Sequence, residues 1–239
     1  MRIDVVPIAD AVTPERVAGV TVLVIDVLRA STTIITALAN GADAIVPVAD
    51  PGEARRRAAA GVLVAGERRG EKLAGFDLGN SPVEFAVTPL AGRTVVFTTS
   101  NGTRALLATR GAAAIGIAAL VNVGAAAAWA AAEGRDVTLL CAGERGALSL
   151  EDHVCAGLVV DRLRRAVGGA RLTAAADDAW DAARPYERDV ARLATDSRWA
   201  QRLTDAGHGP DVRACLRLDT TSLVPVYVPD VDKVVLSQP

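Results

Sequence analysis

The octet D-V-L-R-A-S-T-T that begins at Asp26 places an acid, an arginine and three hydroxyls directly after an apolar run, Val20 to Ile25. An apolar strand that ends in polar residues and leads into a helix builds an anion site at the strand's carboxyl end, because the free N–H groups of the helix point at the ligand. Asp26 can hold a divalent cation, Arg29 can clamp a phosphate or carboxylate with two N–H groups, and Ser31 and Thr32 supply further donors. The same residues also read as a helix start, since Asp and Ser satisfy the orphan N–H groups of a helix over Thr32 to Asn40. Taken alone, the octet supports the two readings about equally.

Three more polar, glycine-bearing segments follow apolar runs. G-E-R-R-G-E-K-L-A-G-F-D-L-G-N-S-P, from Gly66 to Pro82, carries Glu67, Arg68, Asp77, Asn80 and Ser81 as candidate ligands. A connection of that length is uncommon in a compact domain unless it binds or covers something. A loop that was only solvated would have no need of Phe76 and Leu78, although Asn80-Ser81-Pro82 also reads as a simple helix cap. T-T-S-N-G-T-R, from Thr98 to Arg104, offers Ser100, Asn101 and Thr103 as donors, with Gly102 permitting close backbone approach or positive φ. Its plain alternative is an Asn-Gly turn with a Thr cap. C-A-G-E-R-G-A-L-S-L-E-D-H, from Cys141, ends in Ser149, Glu151 and Asp152, which suit either a magnesium site or the acid-rich first turn of a helix.

The elements that must position these loops alternate regularly. Strand-like runs at Val20–Asp26, Ala44–Val48, Thr94–Thr98, Ala113–Ile117 and Val137–Cys141 are followed by helical patterns, and one at Val62–Gly66 by the long polar segment. Among the helical patterns are Pro51 to Ala60, a helix from Thr103, one ending at Glu133, and Leu150 to Val167. Such alternation predicts an α/β three-layer unit with a largely parallel, mixed sheet covered on both faces. Thr173 to Ala206 reads as a helical C-terminal segment, and Leu223–Val228 with Lys233–Leu236 as terminal strands forming a hairpin. No Gly-, Ser- or Pro-rich linker divides residues 1–239, so a single domain is expected. In a parallel sheet the four loops would gather at one edge, where open α/β sheets bind their ligands, and that convergence favours phosphate and metal chemistry over capping.

Composition narrows the function. A net charge of −2 gives no basic stripe for nucleic acid. The most apolar stretch, Ala112 to Ala132, is Ala-rich and interrupted by Gly116, Asn122 and Gly124, which argues against a membrane span. With no basic and apolar leader at the N-terminus and three unpaired cysteines, Cys141, Cys155 and Cys215, a cytoplasmic location is expected and a structural zinc site is not. Several phosphatase chemistries lack their residues. Leu28 stands where a haloacid-dehalogenase site needs its second acid, and Cys141 and Arg145 are too close for a cysteine-phosphatase loop. His153 and His208 lack an Arg-His-Gly context, and there is no Walker sequence.

Together the segments D-V-L-R-A-S-T-T at Asp26, G-E-R at Gly66, G-F-D-L-G-N-S-P at Gly75, T-T-S-N-G-T-R-A at Thr98, C-A-G at Cys141, S-L-E-D at Ser149 and L-D-T-T-S-L-V-P-V at Leu218 closely resemble the 2-phosphosulfolactate phosphatase family. The resemblance implies magnesium-dependent hydrolysis of a phosphate monoester of a small acidic hydroxy acid, 2-phospho-3-sulfolactate to 3-sulfolactate and phosphate. The partner expected is therefore a small-molecule phosphoester, and a homodimer is compatible with that reading. On this view Asp26, Arg29 and Asn101 carry catalysis. Mg²⁺ would be held among Asp26, Glu67, Asp77, Glu151 and Asp152, and phosphate by Ser31, Thr32, Asn80, Ser81, Ser100, Gly102 and Thr103. Arg68 or Arg104 would take the substrate's sulfonate or carboxylate. Attack by water and a phospho-aspartate at Asp26 both remain open, with water favoured. Two alternatives stand beside this: a phosphatase for another small phosphorylated carboxylic acid, and a non-catalytic sensor of a phosphorylated metabolite.

Overall fold

Short runs rich in Val, Ile and Leu, bounded by Gly, Asp or Pro, become strands because β-branched side chains fit a pleated surface buried on both faces. The computed structural model describes residues 1–237. Its strands are β1 (Arg2–Val6), β2 (Thr21–Ile25), β3 (Ala44–Pro47), β4 (Val62–Arg68), β5 (Glu71–Lys72), β6 (Thr94–Thr98), β7 (Ala114–Ala118), β8 (Val137–Cys141), β9 (Arg171–Leu172), β10 (Pro225–Val228) and β11 (Lys233–Leu236). They form one mixed α/β sheet in the order β5-β4-β6-β3-β11-β10-β7-β2-β8-β1-β9. The helices between the early strands are α1 (Pro14–Val17), α2 (Ala30–Ala39), α3 (Pro51–Arg56), α4 (Pro82–Val87), α5 (Gly102–Leu107), α6 (Val123–Ala132) and α7 (Leu150–Ala166). The C-terminal segment adds α8 (Ala174–Ala183), α9 (Leu193–Asp196), α10 (Arg198–Leu203) and α11 (Gly209–Cys215). No helix among the described residues is long and apolar enough to cross a membrane.

Side chains alternate across each strand, and the two larger of three hydrophobic clusters follow from that period. Leu23 and Ile25 of β2 join Ile3, Val5 and Leu139 in one core under α6, α7 and α8. Val22 and Val24 join Ile115, Ile117, Val95 and Phe97 in a second, with Ile34 of α2, Phe85 of α4 and Leu106 of α5. Helices therefore cover both faces of the sheet.

Two parallel blocks, β4-β6-β3 and β7-β2-β8-β1-β9, flank the antiparallel β10–β11 hairpin. The hairpin meets them through the register pairs Val226 with Gly116 and Val234 with Ile45, both antiparallel. Three successive antiparallel pairings reverse one block relative to the other. The carboxyl ends of β2, β4, β6 and β8 nonetheless line one common cavity, across the reversal between the two blocks.

Four boundaries differ from the sequence reading. The chain opens with β1, whose Ile3 and Val5 are buried between β8 and β9. Helix α2 begins at Ala30 rather than Thr32, because the Asp26 side chain and carbonyl accept the N–H groups of Ala30 and Ser31. Helix α3 stops at Arg56, short of Ala60. The stretch after Gly66 is not a continuous loop: β4 runs on to Arg68 and folds back as β5, pairing Glu67 with Lys72 and Arg68 with Glu71. Phe76 and Leu78 are buried, and they pin the rest of the segment to the sheet.

Candidate active site

A cavity of about 410 Å³ lies where these strand ends meet, of a size suited to a small molecule. Asp26, Leu28 and Arg29 line it from the loop after β2, and Glu67, Arg69, Gly70 and Asn80 from the β4–β5 hairpin and the segment beyond. Ser100 and Asn101 come from the loop after β6, and Gly143, Glu144, Arg145, Ser149, Glu151 and Asp152 from the segment joining β8 to α7, with Trp199 closing it from α10.

Each acid is held by hydrogen bonds that fix its direction. Asp26 is 8 % exposed, and its Oδ1 accepts the Ala30 N–H at 3.1 Å. A Cβ placed on Gly102 would fall 2.6 Å from Asp26 Oδ2, so the glycine at the start of α5 serves close approach rather than positive φ. Glu67 accepts the Ser100 N–H at 2.7 Å on Oε1 and the Gly70 N–H at 2.7 Å on Oε2. Asp152 accepts the N–H groups of Val27 at 2.8 Å and Gly143 at 3.2 Å, tying the Asp26 loop to the β8 loop. Glu151 accepts the Ser197 hydroxyl at 2.7 Å.

Gathering buried acids costs ionisation energy. Burial, with Glu67 and Glu151 nearby, pushes the Asp26 carboxyl up to about 7 even though the Ala30 N–H and Arg29 oppose the shift. Burial and the charges of Asp26 and Glu151 hold Asp152 well above the usual carboxylate range, and burial raises Glu151. Such a cluster invites either protons or a cation. Among the described residues no three His, Cys, Asp or Glu side chains converge tightly enough to form a preassembled metal cage.

Arg29 is 3 % exposed and is oriented from behind: Nη1 donates to Asp211 Oδ2 at 2.7 Å and Nη2 to the Gly70 carbonyl at 2.6 Å. Asp211, in α11, also accepts the Ser81 hydroxyl at 2.5 Å. Asn80 is 5 % exposed, and its Oδ1 has no partner among the described residues.

Several candidates from the sequence do not face the cavity. Ser31 Oγ accepts the Asp26 N–H, and Thr32 donates to the Val27 carbonyl, so both hydroxyls shape the loop. Thr103 exchanges hydrogen bonds with Thr99. Ser81 caps α4. Asp77 accepts the Val64 N–H at 2.8 Å away from the other acids. Arg68 turns to the Ala49 carbonyl and Thr98, and Arg104 pairs with Asp10. In their place the structure brings Arg69, Arg145, Glu144 and Trp199 to the cavity and Asp211 behind it. The three cysteines are fully buried, with thiols pushed up by burial, as suits packing rather than nucleophilic attack.

A mixed α/β sheet whose strand ends bring four carboxylates and a buried, oriented arginine to one small cavity has the arrangement of an enzyme site. The family model described as 2-phosphosulpholactate phosphatase matches residues 7–230, and the chain belongs to this family of phosphoric monoester hydrolases. Relatives named probable 2-phosphosulfolactate phosphatase include one from Pseudothermotoga lettingae, 38% identical over 95% of this chain and 96% of its own. Another, from Thermotoga petrophila, is 39% identical over 87% and 89% of the two chains. A third, from Gloeobacter violaceus, is 41% identical over 89% and 92%.

Proposed function

We propose that this protein hydrolyses 2-phospho-3-sulfolactate to 3-sulfolactate and phosphate, with Mg²⁺, in the cavity at Asp26. The observation that carries the reading is the convergence of Asp26, Glu67, Glu151 and Asp152 with Arg29 on one cavity, in a chain that matches relatives named for this substrate along most of its length.

The donors fit magnesium. They are all oxygen, with no Cys or His among them, and Mg²⁺ characteristically takes one or two carboxylates and completes its shell with water and substrate phosphate. Asp152 with Glu67 or Glu151 would hold it, leaving Asp26 Oδ2 open, and when bound it would neutralise the acids and polarise the phosphoryl oxygens.

The chain's own groups do the rest. Arg29, fixed by Asp211 and the Gly70 carbonyl, keeps donors free for the phosphoryl oxygens as charge develops on them. Asn101 offers its side chain from the opposite loop. Asp26 Oδ2 carries no hydrogen bond from the described residues, which leaves it open to take a proton from the attacking water. Water attacks phosphorus as Asp26 Oδ2 takes its proton, the bond from phosphorus to the substrate's C2 oxygen breaks, that oxygen takes a proton from solvent to leave as the alcohol of sulfolactate, and Asp26 gives its own proton back to solvent.

Phosphate release across a panel of small phosphoesters, with Mg²⁺ and with EDTA, tests this. The expected preference is for 2-phosphosulfolactate, with activity lost in EDTA. Stronger activity on another phosphorylated carboxylic acid would replace the substrate, and binding with no turnover of any ester would make the protein a sensor.

A further inference from the structure

Two tight turns of the same kind border the cavity. In the first, Glu67 pairs with Lys72 and Arg68 with Glu71, leaving Arg69-Gly70 as a two-residue connection with φ of 58° and 91°. In the second, Glu144 and Ala147 exchange hydrogen bonds at 2.9 Å in both directions, leaving Arg145-Gly146 with φ of 51° and 74°. Positive φ at both central residues defines a type I′ turn, which favours Asn or Asp before the Gly. Here each turn places an arginine at that strained position. Among the described residues only four non-glycine residues have positive φ, and these two arginines are the pair that lines the cavity.

Their charges are available. Arg69 forms no ion pair with a described acid, and Arg145 approaches only its neighbour Glu144, at 3.8 Å through Nε. Both are exposed, whereas Asp26, Glu67, Glu151 and Asp152 are buried, so the acids lie at the cavity's floor and the two guanidiniums at its mouth, where the partly exposed Glu144 is also approached by Arg202 at 3.3 Å. The first turn is also fastened to the floor, because Glu67 accepts the Gly70 N–H and Arg29 donates to the Gly70 carbonyl. Buried Asn80, with its unpartnered Oδ1, lines the same wall. A ligand that puts phosphate at the floor, once a cation offsets the acids, leaves any other anionic group to the mouth.

We propose that Arg69 and Arg145 form a second anion subsite at the mouth of the cavity, which selects phosphate esters that carry a further carboxylate or sulfonate. The inference rests on the phosphatase reading for its floor ligand, and it supplies the cations that Arg68 and Arg104 do not. A guanidinium suits either anion because two parallel N–H groups match two oxygens.

The test uses Arg69→Gly, Arg145→Gly and the double variant, since glycine keeps the turn and removes the strain. Kinetics with Mg²⁺ are measured on 2-phosphosulfolactate, 2-phospholactate and ethyl phosphate, which carry two, one and no further anionic groups. Binding of 3-sulfolactate is measured in parallel by calorimetry. The expected result is a loss in kcat/KM at least tenfold larger on 2-phosphosulfolactate than on ethyl phosphate, intermediate on 2-phospholactate and carried mainly by KM, with sulfolactate affinity falling at least tenfold. Equal losses on all three esters, or unchanged KM and sulfolactate affinity in the double variant, would overturn the subsite. Should the wild type hydrolyse none of the esters yet bind sulfolactate through these arginines, the subsite stands and the phosphatase reading fails.

Discussion

Asp26 meets two demands with one carboxylate: Oδ1 accepts the first N–H of α2, and Oδ2 is left beside Gly102 at the cavity. The two readings of this residue therefore need not compete: Oδ1 serves the start of α2, and Oδ2 stays open for the proposed chemistry. Gly102→Ala tests the second. Its backbone is ordinary, but a Cβ would lie 2.6 Å from both Asp26 Oδ2 and Ala30 Cβ, so the carboxylate must move. We expect at least a tenfold fall in kcat/KM with a modest loss of stability, on the order of 1–3 kcal/mol. Retained activity would mean the Asp26 position is not critical. Arg29→Lys should cost more than tenfold in kcat/KM, over about 1.4 kcal/mol, because a point charge cannot bind the Gly70 carbonyl, Asp211 and a phosphate in the planar geometry of a guanidinium. At this scale the strand-end acids were legible, since Asp26, Glu67, Glu151 and Asp152 follow apolar runs. The choice between Arg68 and Arg69 was not. Neighbours at the end of a strand point to different sides, and only the turn at Arg69-Gly70 decides which one meets the cavity. Asp211 was equally hidden, because its bond to Arg29 spans 182 positions.

Among the elements, those with a strong period and a sharp boundary could be read from sequence. Helix α7 is the clearest case. Ser149 caps it, Glu151 and Asp152 lie in its first turn, and Arg164 and Arg165 lie in its last, all agreeing with the helix dipole. The terminal β10–β11 hairpin was also expected, but not its place between the two parallel blocks, because strand order is set by long-range pairing. Strand β1 shows an alternating Ile3-Asp4-Val5 pattern too short to separate from a tail. Helix α10 falls in the helical C-terminal segment expected from sequence and α11 just beyond it, but nothing in their pattern shows that they bring Trp199 to the cavity and Asp211 to Arg29. Asp211→Ala would strand a buried guanidinium charge, and breaking such a pair costs about 3–5 kcal/mol. The expected outcome is a fall in Tm of on the order of 10 °C, together with a loss of kcat. Thermal unfolding and steady-state kinetics check both, and an unchanged Tm would show that α11 does not hold Arg29.

For the molecule as a whole, the buried acids link stability to pH and to cations. A carboxyl raised in the folded state keeps a proton that the unfolded chain has released, so its favourable contribution is full below about pH 4. It is lost as pH rises through about 7 for Asp26, and Glu151 and Asp152 act in the same direction. For Asp26 the loss is on the order of 4 kcal/mol by pH 8. Metal-free protein should therefore lose Tm between pH 5 and pH 8 more steeply than Asp26→Asn, and Mg²⁺ should raise the wild-type Tm at pH 8 more than at pH 5. Parallel Tm curves for the two proteins would contradict that linkage. The cavity's role as a phosphatase centre is tested most directly by the initial rate of phosphate release from 2-phosphosulfolactate, with Mg²⁺, for wild type and Asp26→Asn. Asn retains the oxygen that accepts the Ala30 N–H, so the fold should survive, while the rate should fall by roughly a thousandfold or more as the proton acceptor is lost. An Asp26→Asn protein that melts normally and releases phosphate at a near-wild-type rate would contradict the account.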